Sequence, residues 1–125
     1  MDKKIKKLDP SININTITDG RGGIFTYFPE GSDIQEWNYI TTTKGTKRGD
    51  HYHPEFNEYI MFVMGHGVYV EKNNEGEQDF TLVGPGECVF IPKNTIHTFL
   101  PLEDCRMIAL LDKKWDDCEV PSKAV

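Results

Sequence analysis

Cysteine is scarce in this chain of 125 residues: only Cys88, Cys105 and Cys118 are present, an odd number with no C-x-x-C spacing. That pattern excludes a paired disulfide framework and a zinc ribbon, and it implies reduced thiols in the cytoplasm. Long apolar runs are missing as well. Nothing approaches the roughly 20 apolar residues of a membrane span, and the stretch Met1 to Pro10 has lysines without the apolar segment of a secretion signal. Basic charge is in short supply, with 14 Lys and Arg against 20 Asp and Glu and a net charge of -6. The one basic cluster (Lys3, Lys4, Lys6, Lys7) sits at the start, so a polyanion such as nucleic acid meets repulsion over most of the surface. A sustained apolar stripe at i, i+3, i+4, i+7 is absent too, and 11 Gly with 7 Pro is too much turn chemistry for a helical bundle. The expectation is a soluble cytoplasmic protein with neither a nucleic-acid nor a membrane partner.

What the sequence does contain is a series of short apolar, β-branched runs between turn signals. Candidate strands are Ile14 to Thr18, Gly23 to Phe28, Glu36 to Thr43, Gly49 to His53, Glu58 to Met64, Gly67 to Lys72, Phe80 to Val83, Glu87 to Ile91, Ile96 to Leu100 and Arg106 to Leu111. About ten short strands make an all-β sandwich or barrel. The length suits a single domain over 1–125, with residues 1–11 as a flexible basic tip and 112–125 as a poorly anchored acidic tail. Gly65-His66-Gly67 reads as a tight reversal in which His66 is a solvated turn residue. The strand Glu58 to Met64 is apolar on both faces and should be covered on both sides. Its only charge, Glu58, therefore needs a partner.

The sequence His51-Tyr52-His53 has the i, i+2 spacing that puts two imidazoles on one face of a strand. Imidazoles with a carboxylate suit one divalent transition ion (Zn, Ni, Mn or Fe), and no thiolate is near enough in sequence to make a closed structural zinc site. The alternative is a buried, hydrogen-bonded polar network with no ion. The stretch Gly45 to Gly65 reads G-x5-H-x-H-x4-E-x6-G, which resembles the first motif of the cupin family in full. From Gly86, GECVFIPKNTIHTFLP is similar to the second motif, with Gly86, Pro92 and His97 in place, Asn94 for a glycine and Pro101 for the final asparagine. The resemblance implies a single cupin (jelly-roll-like) β-barrel with His51, His53, Glu58 and His97 as metal ligands.

A second resemblance lies in Asp19-Gly20-Arg21-Gly22, Asn38 and the run Lys44 to Pro54. These are similar to segments of sugar-nucleotide cupins: the dTDP-4-dehydrorhamnose 3,5-epimerases, the dTDP-4-keto-6-deoxyglucose 3,4-ketoisomerases and the cupin domain of capsular-polysaccharide sugar reductases. The resemblance implies a nucleotide-sugar isomerase or epimerase of polysaccharide biosynthesis that abstracts a proton beside a carbonyl. His51 matches the base of the epimerases, which have Gln where His53 stands and use no metal; the capsular cupins carry metal ligands. Arg21 and Arg48 are the candidate substrate contacts, with pairing to Asp19, Glu30 or Asp50 as the alternative. Tyr39, Tyr52 and Tyr59 read as aromatic core or barrel lining, with Tyr39 and Tyr52 as candidate general acids. Two other readings are an iron-dependent dioxygenase and a non-catalytic sugar-binding cupin. The β-rich segment Ile12 to Phe28 would leave an open edge, which points to a homodimer.

Overall fold

The computed structural model describes residues 5–8, 17–28 and 33–125. In chain order the strands are β1 (Lys6–Leu8), β2 (Ile17–Asp19), β3 (Gly22–Ile24), β4 (Glu36–Thr42), β5 (Arg48–Tyr52), β6 (Glu58–Met64), β7 (Gly67–Lys72), β8 (Gln78–Val83), β9 (Cys88–Ile91), β10 (Ile96–Pro101), β11 (Cys105–Leu111) and β12 (Lys123–Ala124). One five-stranded sheet runs β1-β9-β6-β11-β4 and a second runs β12-β5-β10-β7-β8, while among the described residues β2 and β3 pair only with each other. Among the described residues no helix is long and apolar enough to cross a membrane.

Alternation along the strands decides what faces inward. In β11, Cys105, Met107, Ala109 and Leu111 are buried, while Arg106 between them is exposed. The inner faces of the two sheets meet in one core, where Phe62 of β6 and Phe99 of β10 approach to 5.4 Å between ring centroids. Burial of each such side chain contributes roughly 1.5–3 kcal/mol. β6 is covered on both faces as far as Phe62, because Tyr59 and Met61 on its outer face lie with Phe25 and Tyr27 beside Cys88 and Leu110. Val63 and Met64, beyond that cover, are exposed. Cys88 is a core residue, and burial pushes its thiol up to about 12, which removes it as a nucleophile.

The pairing of β5 with β10 contains a β-bulge: His97 faces His51 and Thr98 faces Gly49, so Asp50 is an extra residue on β5. Gly49 and Asp50 both have positive φ, +126° and +56°, which only glycine and short polar residues adopt readily. Asp50 is held there by Lys47 and Lys72 and by the Thr98 hydroxyl, which donates to its carboxylate at 2.7 Å. These partners keep its carboxyl well below the usual range.

Several expectations are corrected. The expected strand Ile14 to Thr18 lies partly outside the described residues, within which Ile17–Asp19 is a strand. The run Gly23 to Phe28 leaves its ladder after Ile24. His66 is exposed but not merely solvated, since its Nδ1–H donates to Glu103 at 2.7 Å. Within the basic tip, Lys6–Leu8 is a strand on β9, with Lys7 paired to Glu87. The acidic tail is tied down along its length. Glu55 accepts from Lys113 at 2.9 Å and from the Val120 N–H at 2.6 Å, and β12 adds to the edge of β5. These ties are hydrogen bonds and ion pairs without apolar periodicity, so a pattern search for buried faces does not see them.

Candidate active site

Between the sheets lies a cavity of about 310 Å³, at the small end of the ~300–1,000 Å³ range usual for ligand sites. Its floor is apolar, formed by residues such as Phe62, Phe99 and Met107. Its chemistry is carried by three strands and one loop position. β5 contributes His51, the residue following β5 is His53, β10 contributes His97 and β6 contributes Glu58.

One ring nitrogen from each of His51, His53 and His97 falls within 4.8 Å of the others. Glu58 Oε1 stands 3.5 Å from His53 Nε2 and 3.9 Å from His97 Nε2. Two of the rings are oriented from behind. His53 Nδ1–H donates to the Pro121 carbonyl at 2.9 Å, and His97 Nδ1–H donates to the Thr95 carbonyl at 2.9 Å. Each therefore turns an Nε2 lone pair toward Glu58, the arrangement by which outer hydrogen bonds orient ligating imidazoles. Among the described residues the His51 ring has no hydrogen-bond partner, and it meets His97 edge-on at 4.6 Å.

Burial sets the charge state. Desolvation holds His51 and His53 below the usual imidazole range and takes His97 down to about 3, while it raises Glu58 to about 7. The centre is three neutral imidazoles around a buried carboxyl, two of them within 4 Å of it. That donor set, two fixed Nε2 lone pairs with a carboxylate and a third ring within reach, fits a divalent transition ion.

No family profile matches the chain. Over 61 residues, 49% of this chain and 34% of the relative, it is 31% identical to the acireductone dioxygenase of Bacillus licheniformis, and so spans about a third of that relative's length. A mutant 3,4-ketoisomerase of Thermoanaerobacterium thermosaccharolyticum in complex with TDP-4-keto-6-deoxyglucose has the same fold at a TM-score of 0.80, with 16% identity over 100% of this chain and 90% of that one. The dTDP-6-deoxy-D-glucose-3,5-epimerase of Legionella pneumophila Philadelphia 1, in complex with dTDP-4-keto-L-rhamnose, gives a TM-score of 0.76 and 14% identity over 98% of this chain and 77% of that one. The chain folds as a cupin.

Within this fold the expected residues are not all brought together. His51, His53, Glu58, His97 and Arg48 line the cavity. Tyr39 and Tyr52 do not: Tyr39 is exposed on the face of β4 opposite Asn38 and Ile40, and Tyr52 alternates with two inward histidines. Arg21 lies on the exposed turn between β2 and β3, outside the lining. Three lining residues were not expected. Phe56 stacks on His53 at 4.4 Å, and Trp115 approaches both rings at 6.1 Å. Tyr69 donates its hydroxyl to buried Glu71 at 2.8 Å, and burial with that carboxylate holds the phenol far above its usual range, so it stays protonated. The i, i+2 pair Tyr69 and Glu71, set among Val68 and Val70, was the available signal.

Proposed function

We propose that this cupin isomerises or epimerises a nucleotide-linked 4-keto sugar, with His51 as the base that takes the proton beside the carbonyl. One observation carries the assignment of the base. His53 and His97 each commit Nδ1 to a backbone carbonyl, while among the described residues the His51 ring is uncommitted in the cavity. A neutral imidazole in a desolvated pocket has its lone pair available at neutral pH. The electron pair of the broken C–H bond moves onto the carbonyl oxygen to give an enolate. Reprotonation at the same carbon from the other face inverts it. Transfer of the neighbouring hydroxyl's proton to the former carbonyl oxygen, followed by reprotonation at the former carbonyl carbon, moves the ketone. The two nucleotide-sugar enzymes of the same fold, each in complex with a TDP-linked keto sugar, support this substrate class.

The same lone pair cannot hold both a proton and an ion, so a divalent ion (Zn, Ni, Mn or Fe) is assigned to His53, Glu58 and His97. When bound, such an ion supplies Lewis-acid stabilisation of developing negative charge on oxygen. In this reading the sugar ring enters the cavity and the nucleotide stays at its mouth, where exposed Arg48, one of the lining residues, pairs with the diphosphate. Arg48→Ala is expected to weaken nucleotide-sugar binding by about 1.5–3 kcal/mol with the fold intact. Calorimetric titration with a panel of nucleotide sugars measures it, and unchanged affinity for the best ligand assigns Arg48 to structure.

The match to an acireductone dioxygenase favours a second reading, an iron-dependent dioxygenase. One experiment separates the two. The ion-loaded protein is incubated in D2O, under air and without O2, with an NDP-4-keto-6-deoxy sugar made in place by a dehydratase. An epimerase washes deuterium into C3 or C5 and an isomerase into C4 of the product, both without O2, and His51→Ala abolishes that exchange while its ion content persists. A dioxygenase consumes O2 and changes product mass, and a sugar-binding cupin only perturbs ligand resonances. No deuterium at C3, C4 or C5 across several 4-keto sugars removes the isomerase reading.

A homodimer is part of the proposal. β4 is a sheet edge whose outer face exposes Trp37 and Tyr39, at 75% and 60%. Sedimentation equilibrium at the mass of one chain would remove it.

A further inference from the structure

The segment after β11 crosses the open side of β5 and touches the histidine centre from behind. Asp112 accepts from the Asn57 N–H and side-chain amide at 2.8 Å each, and the Trp115 N–H donates to Glu36 at 3.0 Å. Beyond the 3-10 turn Trp115–Asp117, Glu55 takes the Val120 N–H, Pro121 O accepts from His53 Nδ1, Lys123 and Ala124 pair with Tyr52 and His51, and the Val125 N–H donates to the Asp50 carbonyl at 2.9 Å. Every tie from Val120 onward lands between Asp50 and Glu55, the stretch that carries two of the three histidines.

We propose that residues 115–125 form a positioning strap for the β5 histidines, with the Pro121 carbonyl as the group that holds His53 in its Nδ1–H tautomer. A neutral imidazole has one N–H, so an acceptor fixed behind Nδ1 forces the lone pair onto Nε2, the atom 3.5 Å from Glu58. The stacked Phe56 ring restrains the plane of the ring but cannot choose between tautomers. Without the strap, β5 is a sheet edge and His53 Nδ1 loses its acceptor. His97 is the internal control. Its acceptor, Thr95 O, lies two residues away in its own turn and is independent of the strap. Pro121 acts through His53 and is a positioning residue, so this inference does not depend on the substrate. Its failure would leave the isomerase reading standing, and the reverse also holds.

Long-range 1H–15N spectra of the chain labelled at histidine nitrogen test it, comparing residues 1–125 with a chain ending at Val120. In the longer chain both His53 and His97 are expected as Nδ1–H tautomers. In the shorter one the Nε2 signal of His53 shifts into the protonated range, while His97 is unchanged. Should the shorter chain fail to fold, Glu55→Ala in the 125-residue chain decides, because it removes the carboxylate that holds Val120 and Lys113 without shortening the strap. It is expected to move the His53 tautomer in the same direction. If His53 keeps the Nδ1–H form in the folded variant, or lacks it in the unaltered chain, the proposal is overturned.

Discussion

Replacing His97 with alanine is expected to lower the affinity for a divalent transition ion by more than ~100-fold. Loss of a partner behind a ligand costs 10–100-fold, and loss of the ligand itself costs more. His97 is the most informative of the set because it comes from β10, while His51 and His53 come from one stretch of chain. Without it Glu58 keeps a single fixed imidazole, that of His53, within 4 Å. Elemental analysis and competition titration after incubation with Zn, Ni, Mn and Fe(II) measure the effect. An unaltered chain that takes up none of these ions would remove the ligand assignment altogether.

Gly49→Ala is expected to destabilise the protein by about 2–4 kcal/mol, combining a strained positive φ with a forced separation of two strands. An added Cβ would lie 2.5 Å from the His97 carbonyl oxygen and 2.7 Å from Thr98 Cα, both backbone atoms that cannot rotate away. The strand that must yield carries His97, so ion affinity should fall together with the urea midpoint. Gly20→Ala is the control: nothing lies within 4 Å of a Cβ there, and the change should stay within about 0.5 kcal/mol. A Gly49→Ala protein as stable as the parent would show that the β5–β10 contact is looser than the structure has it.

Strand parity explains which parts of this site could be read in advance. His51 and His53 share a face by simple alternation, and the same alternation requires Tyr52 between them to face away. Arg48 is different. It is three residues from His51, so an unbroken strand would place the two on opposite faces, and both reach the cavity because Asp50 is an extra residue in β5. Nothing in Arg48-Gly49-Asp50 announces that bulge beyond the glycine; the grouping of Arg48 with His51 came from family resemblance. Tyr39 shows the converse difficulty. The strand EWNYITT carries aromatic residues on one face and Asn38 and Ile40 on the other, and apolarity alone selects the wrong face when the outer one is left open. The closing segment was illegible because its contacts run through backbone groups, above all the Pro121 carbonyl, which leave no imprint on side-chain pattern.

The centre draws its members from both sheets, His51 and His97 from one and Glu58 from the other. Whatever binds across them acts as a rivet between the two halves of the barrel. Occupancy of the site and resistance to unfolding then become one measurable quantity, growing as RT ln(1 + [L]/Kd). Any compound that seats there raises the melting temperature whether or not it is turned over. The substrate can therefore be sought by thermal shift across a library of nucleotide sugars before its chemistry is known.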